Sequence, residues 1–119
     1  MPSQPISPFA SVKLSGAGAG QCSLTPPSGV MWRVDLATVS ILNPVLIPQA
    51  QVYLGNSSGP LQLVDSTTFG SSASTGKIKG TQLYPGQYVW AVWSGGDAGA
   101  TATLQLFATA VANYRSAAR

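Results

Sequence analysis

Reactive side chains are few in this chain: Asp35, Asp65 and Asp97, Lys13, Lys77 and Lys79, a lone Cys22, and many serine and threonine hydroxyls. Histidine and glutamate are both missing. That removes the commonest general base, the commonest zinc ligand and one of the two carboxylates used in acid–base pairs. A working site would have to be built from aspartate, lysine or hydroxyls alone, so the expectation is that the protein is not an enzyme and carries no cofactor. A calcium site needs several oxygen ligands from one compact loop, and no loop here has more than one carboxylate.

Each of these residues has a structural reading. Asp35 alternates with Arg33 in "WRVDL" and belongs on the solvent face of a strand, where the two pair weakly. Asp65 in "LVDSTT" and Asp97 in "SGGDAG" lie in turn-like sequence, where a short carboxylate bonds nearby backbone amides. Cys22, between Gln21 and Ser23, has no partner for a disulfide or a thiolate cluster and reads as a small core residue.

The stretch "PGQYVWAVWSGGDAGATATL", residues 85 to 104, concentrates aromatics ahead of a glycine-rich loop. A nucleotide loop would place those glycines between a strand and a helix. Here another strand pattern follows, so no phosphate site is expected. Trp32, Trp90, Trp93, Tyr88 and Tyr84 form either a flat platform for sugar rings or a core plus a subunit contact. One face of this strand must be buried for the domain to fold, which favours core and contact.

The elements that must hold these residues read as β-structure. Residues 30 to 42, "VMWRVDLATVSIL", put Trp32, Val34 and Leu36 on one face and Arg33 and Asp35 on the other, the period of a half-buried strand. From Val39 and Ile41 the apolar set moves to odd positions, which predicts a bulge near Ala37 or Thr38. In 88 to 93, Tyr88, Trp90 and Val92 oppose Val89, Ala91 and Trp93. The alanine-rich end alternates as well, with Ala102, Leu104, Leu106 and Ala108 on one side. No apolar stripe of helical period competes with this reading. Gly, Pro, Asn and Ser punctuate the chain about every ten residues, which predicts an all-β fold, an antiparallel β-sandwich of jelly-roll or immunoglobulin-like type with about seven or eight short strands. Residues 1–10, rich in proline, read as an extended N-terminal arm, 11–112 as the sandwich and 113–119 as a C-terminal tail.

A chain of 119 residues supports one domain. Charged residues are only 8 % of it, against roughly a quarter in an ordinary globular domain. Such a surface suits coverage by neighbouring subunits. The net charge of +3 is scattered, with only Lys77 and Lys79 sharing a predicted strand face, so direct nucleic-acid binding is not expected. Neither a signal peptide nor a membrane helix is legible, which points to folding in a reducing cytoplasm.

The segments "PPSGVMWRVDLATVSI", "QVYLG", "LVDSTTFG" and "LYPGQYVWAVWSGGDAGATATL" together resemble small virion-associated proteins of tailed phages that infect actinobacteria. The resemblance spans roughly residues 22 to 107 and leaves both ends of the chain unmatched. It implies a structural role on the particle, as a head decoration or minor capsid protein assembled in the host cytoplasm and then part of the virion. The implied partners are the major capsid protein, other virion subunits or further copies of the chain, with no membrane. The contact surface expected on this reading is Pro5, Ile6, Phe9, Tyr84, Tyr88, Trp93, Tyr114 and Arg115. The alternative is a carbohydrate-binding module or tail-associated adhesion protein whose surface aromatics hold a glycan, with Trp93 as the residue that sugar binding would need and folding would not.

Overall fold

The computed structural model describes residues 3–112. They form ten strands and no helix: β1 (Ser3–Ile6), β2 (Phe9–Lys13), β3 (Gly20–Leu24), β4 (Val30–Ile41), β5 (Gln49–Asn56), β6 (Gly59–Thr67), β7 (Ser72–Thr75), β8 (Thr81–Leu83), β9 (Tyr88–Ser94) and β10 (Thr101–Ala112). Two antiparallel sheets pack face to face as a β-sandwich. In the first, β10 and β4 pair along their whole length; β1 and β2 follow one another along the free side of β10, and β7 and β8 along the free side of β4. The second has the order β3-β9-β5-β6.

Alternation builds the core. Val34, Leu104 and Leu106 from the first sheet meet Val89, Ala91 and Trp93 from the second, all buried. Each large apolar side chain taken from water here is worth about 1.5–3 kcal/mol. The change of phase in β4 has its cause in a bulge. Val34 pairs with Ala108 and Leu36 with Phe107, so Asp35 has no partner of its own. The extra residue sits earlier than the predicted Ala37 or Thr38. It lets Trp32 and Val34 before it, and Ala37, Val39 and Ile41 after it, all face inward.

Three expectations change. The described part of the N-terminal segment does not reach away from the body: Ser3–Ile6 pair with Ala108–Val111 of β10, and the Pro8 carbonyl accepts from the Leu106 amide, which joins the ladders of β1 and β2. Prolines lack the donor that a central ladder needs, so this segment lies at the sheet's edge. Secondly, the strands number ten rather than seven or eight, because residues 59–83 supply three and the N-terminal segment one more. Thirdly, Lys77 and Lys79 lie in a turn, not on a strand face. Lys79 N donates to the Gly76 carbonyl and Thr81 N to that of Ile78. Between the lysines Ile78, 1 % exposed, plugs the core.

Register defines the two ends of the sandwich. Ile41 pairs with Ala102, Gln49 with Ser94 and Gly20 with Trp93, which gathers the loops 14–19, 42–48, 68–71 and 95–100 at one end, the upper. The turns 25–29, 57–58 and 84–87 lie at the other.

Candidate functional site

The upper end begins with "LNPVLIP", residues 42 to 48. Asn43 takes a positive φ of 50°, a conformation asparagine tolerates better than most residues, and Pro44 follows it. The sequence shows only an interrupted strand here. The structure shows a loop whose amides turn inward and whose side chains turn out. Asp97 is the reason. Its carboxylate accepts from the Val45 amide at 2.8 Å and from the Leu46 amide at 3.2 Å. It bonds backbone amides, as expected of a turn aspartate, but in a loop some fifty residues away in sequence instead of nearby. Charge-assisted bonds of this kind are shorter and stronger than neutral ones.

Other contacts fix the rest of this end. Gly96 N donates to the Gly18 carbonyl at 3.0 Å, and Gly18 has a φ of 73°. A Cβ on Gly18 would overlap the Gly96 carbonyl, so glycine is required there twice over. The Trp93 indole donates to the Gly70 carbonyl at 3.0 Å, and the Gly70 amide donates to that of Pro48 at 2.8 Å. Loops 42–48 and 68–71 are thus tied to the core and to each other. On this fixed frame Leu42, Val45, Leu46, Ile47 and Phe69 stand exposed, Val45 at 85 %. Nothing but the frequency of apolar residues between two prolines could have shown this in the sequence, since loops there should be polar.

The expected contact residues do not converge. Pro5 and Phe9 are exposed on the β1–β2 edge, Phe9 at 67 %, while Ile6 packs on the core. Tyr84 and Tyr88 lie at the lower end. Tyr84 donates its hydroxyl to Gln82 at 3.1 Å, and its amide donates to the Gln87 side chain at 2.9 Å. Tyr114 and Arg115 lie outside the described residues. Trp93 must be withdrawn from the surface: it is 1 % exposed, between Gly20 and Ala50 on the two neighbouring strands, whose small size makes room for the indole. A sugar platform on Trp93 is therefore ruled out. The outward aromatic of β9 is Trp90, stacked on Tyr88 with ring centres 6.2 Å apart and opposite Tyr53 of β5.

Two further groups have structural explanations. Cys22 donates to the Ala10 carbonyl, and burial pushes its thiol up to about 11, so it stays protonated and poorly nucleophilic near neutral pH. Asp65 accepts from Lys77 Nζ at 3.2 Å and from the Ser66 amide at 2.9 Å, at the gap between β6 and β7, where the Thr75 hydroxyl accepts from the Lys77 amide at 3.1 Å. The Thr75 hydroxyl first, and then Lys77 and the Ser66 amide, hold its carboxyl below the usual range against a smaller opposing effect of burial. Among the described residues no cluster of three or more histidine, cysteine or acidic side chains could bind a metal ion.

In class, the described chain is a two-sheet antiparallel β-sandwich. Comparison with protein-family models, curated proteins and solved structures finds no match to it.

Proposed function

We propose that the protein is a structural subunit of a tailed-phage particle, a head decoration or minor capsid protein that docks its upper end on neighbouring shell subunits. The observation that carries this reading is the group of five large apolar side chains, Leu42, Val45, Leu46, Ile47 and Phe69, exposed together on loops that the core and Asp97 hold in place. Scattered surface leucines need no explanation, but a group presented at one end of a small domain suits a protein partner. Pre-fixed loops lose little conformational entropy on docking, so more of the burial energy is left for affinity. The resemblance to virion-associated phage proteins supports the same assignment, and so does the low share of charged residues.

The experiment uses particles of the phage that encodes the chain. Quantitative mass spectrometry should find it at a simple fraction of the major capsid protein's copy number. The double variant Val45→Asp, Leu46→Asp, whose changes lie on solvent-facing side chains, should melt within a few degrees of the wild type and fail to join particles. Absence of the wild-type chain from particles, or undiminished joining by the folded double variant, overturns the proposal.

A further inference from the structure

The outer face of the second sheet carries the aromatics that the core does not use. Register sets Tyr53 of β5, Trp90 of β9 and Ser23 of β3 in one row across the strands, and in the next row Gln51 and Gln21 flank Val92. Tyr88 lies beyond Trp90 on the same side of β9, opposite Gly55. These positions alternate with the buried Val52, Val89, Ala91 and Trp93, so their side chains point away from the core. No residue of β3, β5 or β9 is charged. A cleft of about 390 Å³ at the lower end, between the β5–β6 hairpin and β8, belongs to the inner side of this sheet and has Leu54, Leu83 and Gln62 in its walls. The outer rings do not face into it.

Two of these rings are fixed along the sheet. The Trp90 indole donates to the Asn56 carbonyl at 3.0 Å. Asn56 lies three residues along β5 from Tyr53, the register partner of Trp90, which is about 10 Å. An indole standing off the sheet could not reach that carbonyl, so the ring lies down toward β5, where Gly55 has no side chain to lift it. The Tyr53 hydroxyl donates to the Gln51 side chain at 2.9 Å, two residues back on the same face, which turns that ring along its own strand. Tyr88 stacks on Trp90 with ring centres 6.2 Å apart and 29° between the planes.

The rings and their polar neighbours share this face, and together they select a ligand class. An ion would find no countercharge for its desolvation. A purely apolar ligand would leave the carboxamides of Gln21 and Gln51 without water or a partner. A stable contact with a second copy of the chain needs about 800 Å² on each side, whereas Tyr88 to Val92 across three strands measures only about 14 by 10 Å. A neutral saccharide fits all three demands, because its C–H faces lie against aromatic rings while its hydroxyls both donate and accept. Gln51 keeps its NH₂ donors, since its oxygen takes the Tyr53 bond. Among the described residues the side chains of Gln21 and Ser23 make no hydrogen bond.

We infer that the outer face of the second sheet binds a neutral saccharide chain, with Trp90, Tyr53 and Tyr88 as the stacking surface and Gln21, Gln51 and Ser23 as hydroxyl partners. The site shares no residue with the upper-end loops, so it stands or falls apart from the shell reading.

Tryptophan emission reports the test directly. Trp32 and Trp93 are buried, and Trp90 is the half-buried indole of the platform. Maltohexaose, cellohexaose, mannohexaose and N-acetylchitohexaose are titrated into the full chain, with tri-galacturonate and chitosan hexamer as charged controls. At least one neutral oligosaccharide should give a saturable change, weakened about five- to tenfold by Gln21→Ala, the loss of roughly one neutral hydrogen bond, and more by Tyr88→Ala. Gln21 is exposed on the edge strand β3, so its variant keeps the test valid if Tyr88→Ala fails to fold. Gln62→Ala, in the cleft, should bind as the wild type does. No saturable change with any neutral probe, equal affinity in Gln21→Ala and wild type, or tighter binding of a charged control overturns the inference. So does a dimer in sedimentation velocity that Trp90→Asp dissolves, since the face would then be covered by a second copy.

Discussion

The two ends of the sandwich are closed by opposite means. At the upper end, loops distant in sequence bond to one another: 95–100 to 42–48 through Asp97, 95–100 to 14–19 through Gly96 and Gly18, and 68–71 to both Pro48 and Trp93. At the lower end most turn contacts are local. Val30 N bonds to the Pro27 carbonyl, Gln87 N to that of Tyr84 and Ser58 N to the Asn56 side chain, with Thr25 reaching Gln87 as the longer link. Cross-linked loops can hold apolar side chains in water without collapsing onto them. Locally closed turns leave a gap between the sheets, and polar side chains line it. The difference shows how one small fold can hold a group of solvent-facing apolar side chains at one end and an open cleft at the other, each where the loop connections suit it.

Trp93→Ala should have the largest effect on this contrast. It removes a fully buried indole and the bond that links the core to Gly70, and changes of this type lose about 3–5 kcal/mol. Urea unfolding should show the loss. Native-state hydrogen exchange should show amides of 42–48 and 68–71 losing protection well before those of 84–87. If both ends lose protection together, the upper end is not a separately braced unit and the contrast fails. Gly18→Ala ranks next. It forces a side chain into a positive φ and against the Gly96 carbonyl, for an expected loss of about 2 kcal/mol. Its exchange footprint should fall on 14–19 and 95–100; an unchanged melting temperature would mean that this contact does not brace the end.

How far these arrangements could be read from the sequence depends on the range of the contact. Period-2 alternation set out both faces of β9 and the inner face of β10 correctly, because a strand's own residues decide that pattern. The fold class followed. What alternation does not supply is which face points inward, and that is where Trp93 was misjudged: its burial depends on Gly20 and Ala50 of strands far away in sequence. Asp97 shows the same limit, since its partner amides at Val45 and Leu46 are close only after folding. Proline in residues 1–10 marked the segment as unsuited to a central ladder but could not distinguish a free arm from an edge strand. The lower cleft draws on 54–62 and 81–88, so no single stretch announces it.

The smallest expected effect lies midway between the ends, where Asp65, Thr75 and Lys77 bridge the open side of the sandwich. The folded carboxyl titrates below the ordinary value of 3.8, so its bonds stabilise the fold above that pH and the contribution is lost as pH falls through the lower, folded value. Lys77 is largely exposed, and water screens an exposed pair to well under about 1 kcal/mol. The Thr75 hydroxyl should therefore carry more of the effect than the ion pair. Urea unfolding at about pH 5 and about pH 2.5 resolves the two: Asp65→Asn should flatten part of the wild-type loss on acidification, Thr75→Val should flatten nearly as much, and Lys77→Met less. If Lys77→Met matches Asp65→Asn while Thr75→Val keeps the wild-type slope, the bridge is an ion pair. The open side would then be closed by charge, unlike the upper end, where Asp97 works through backbone amides.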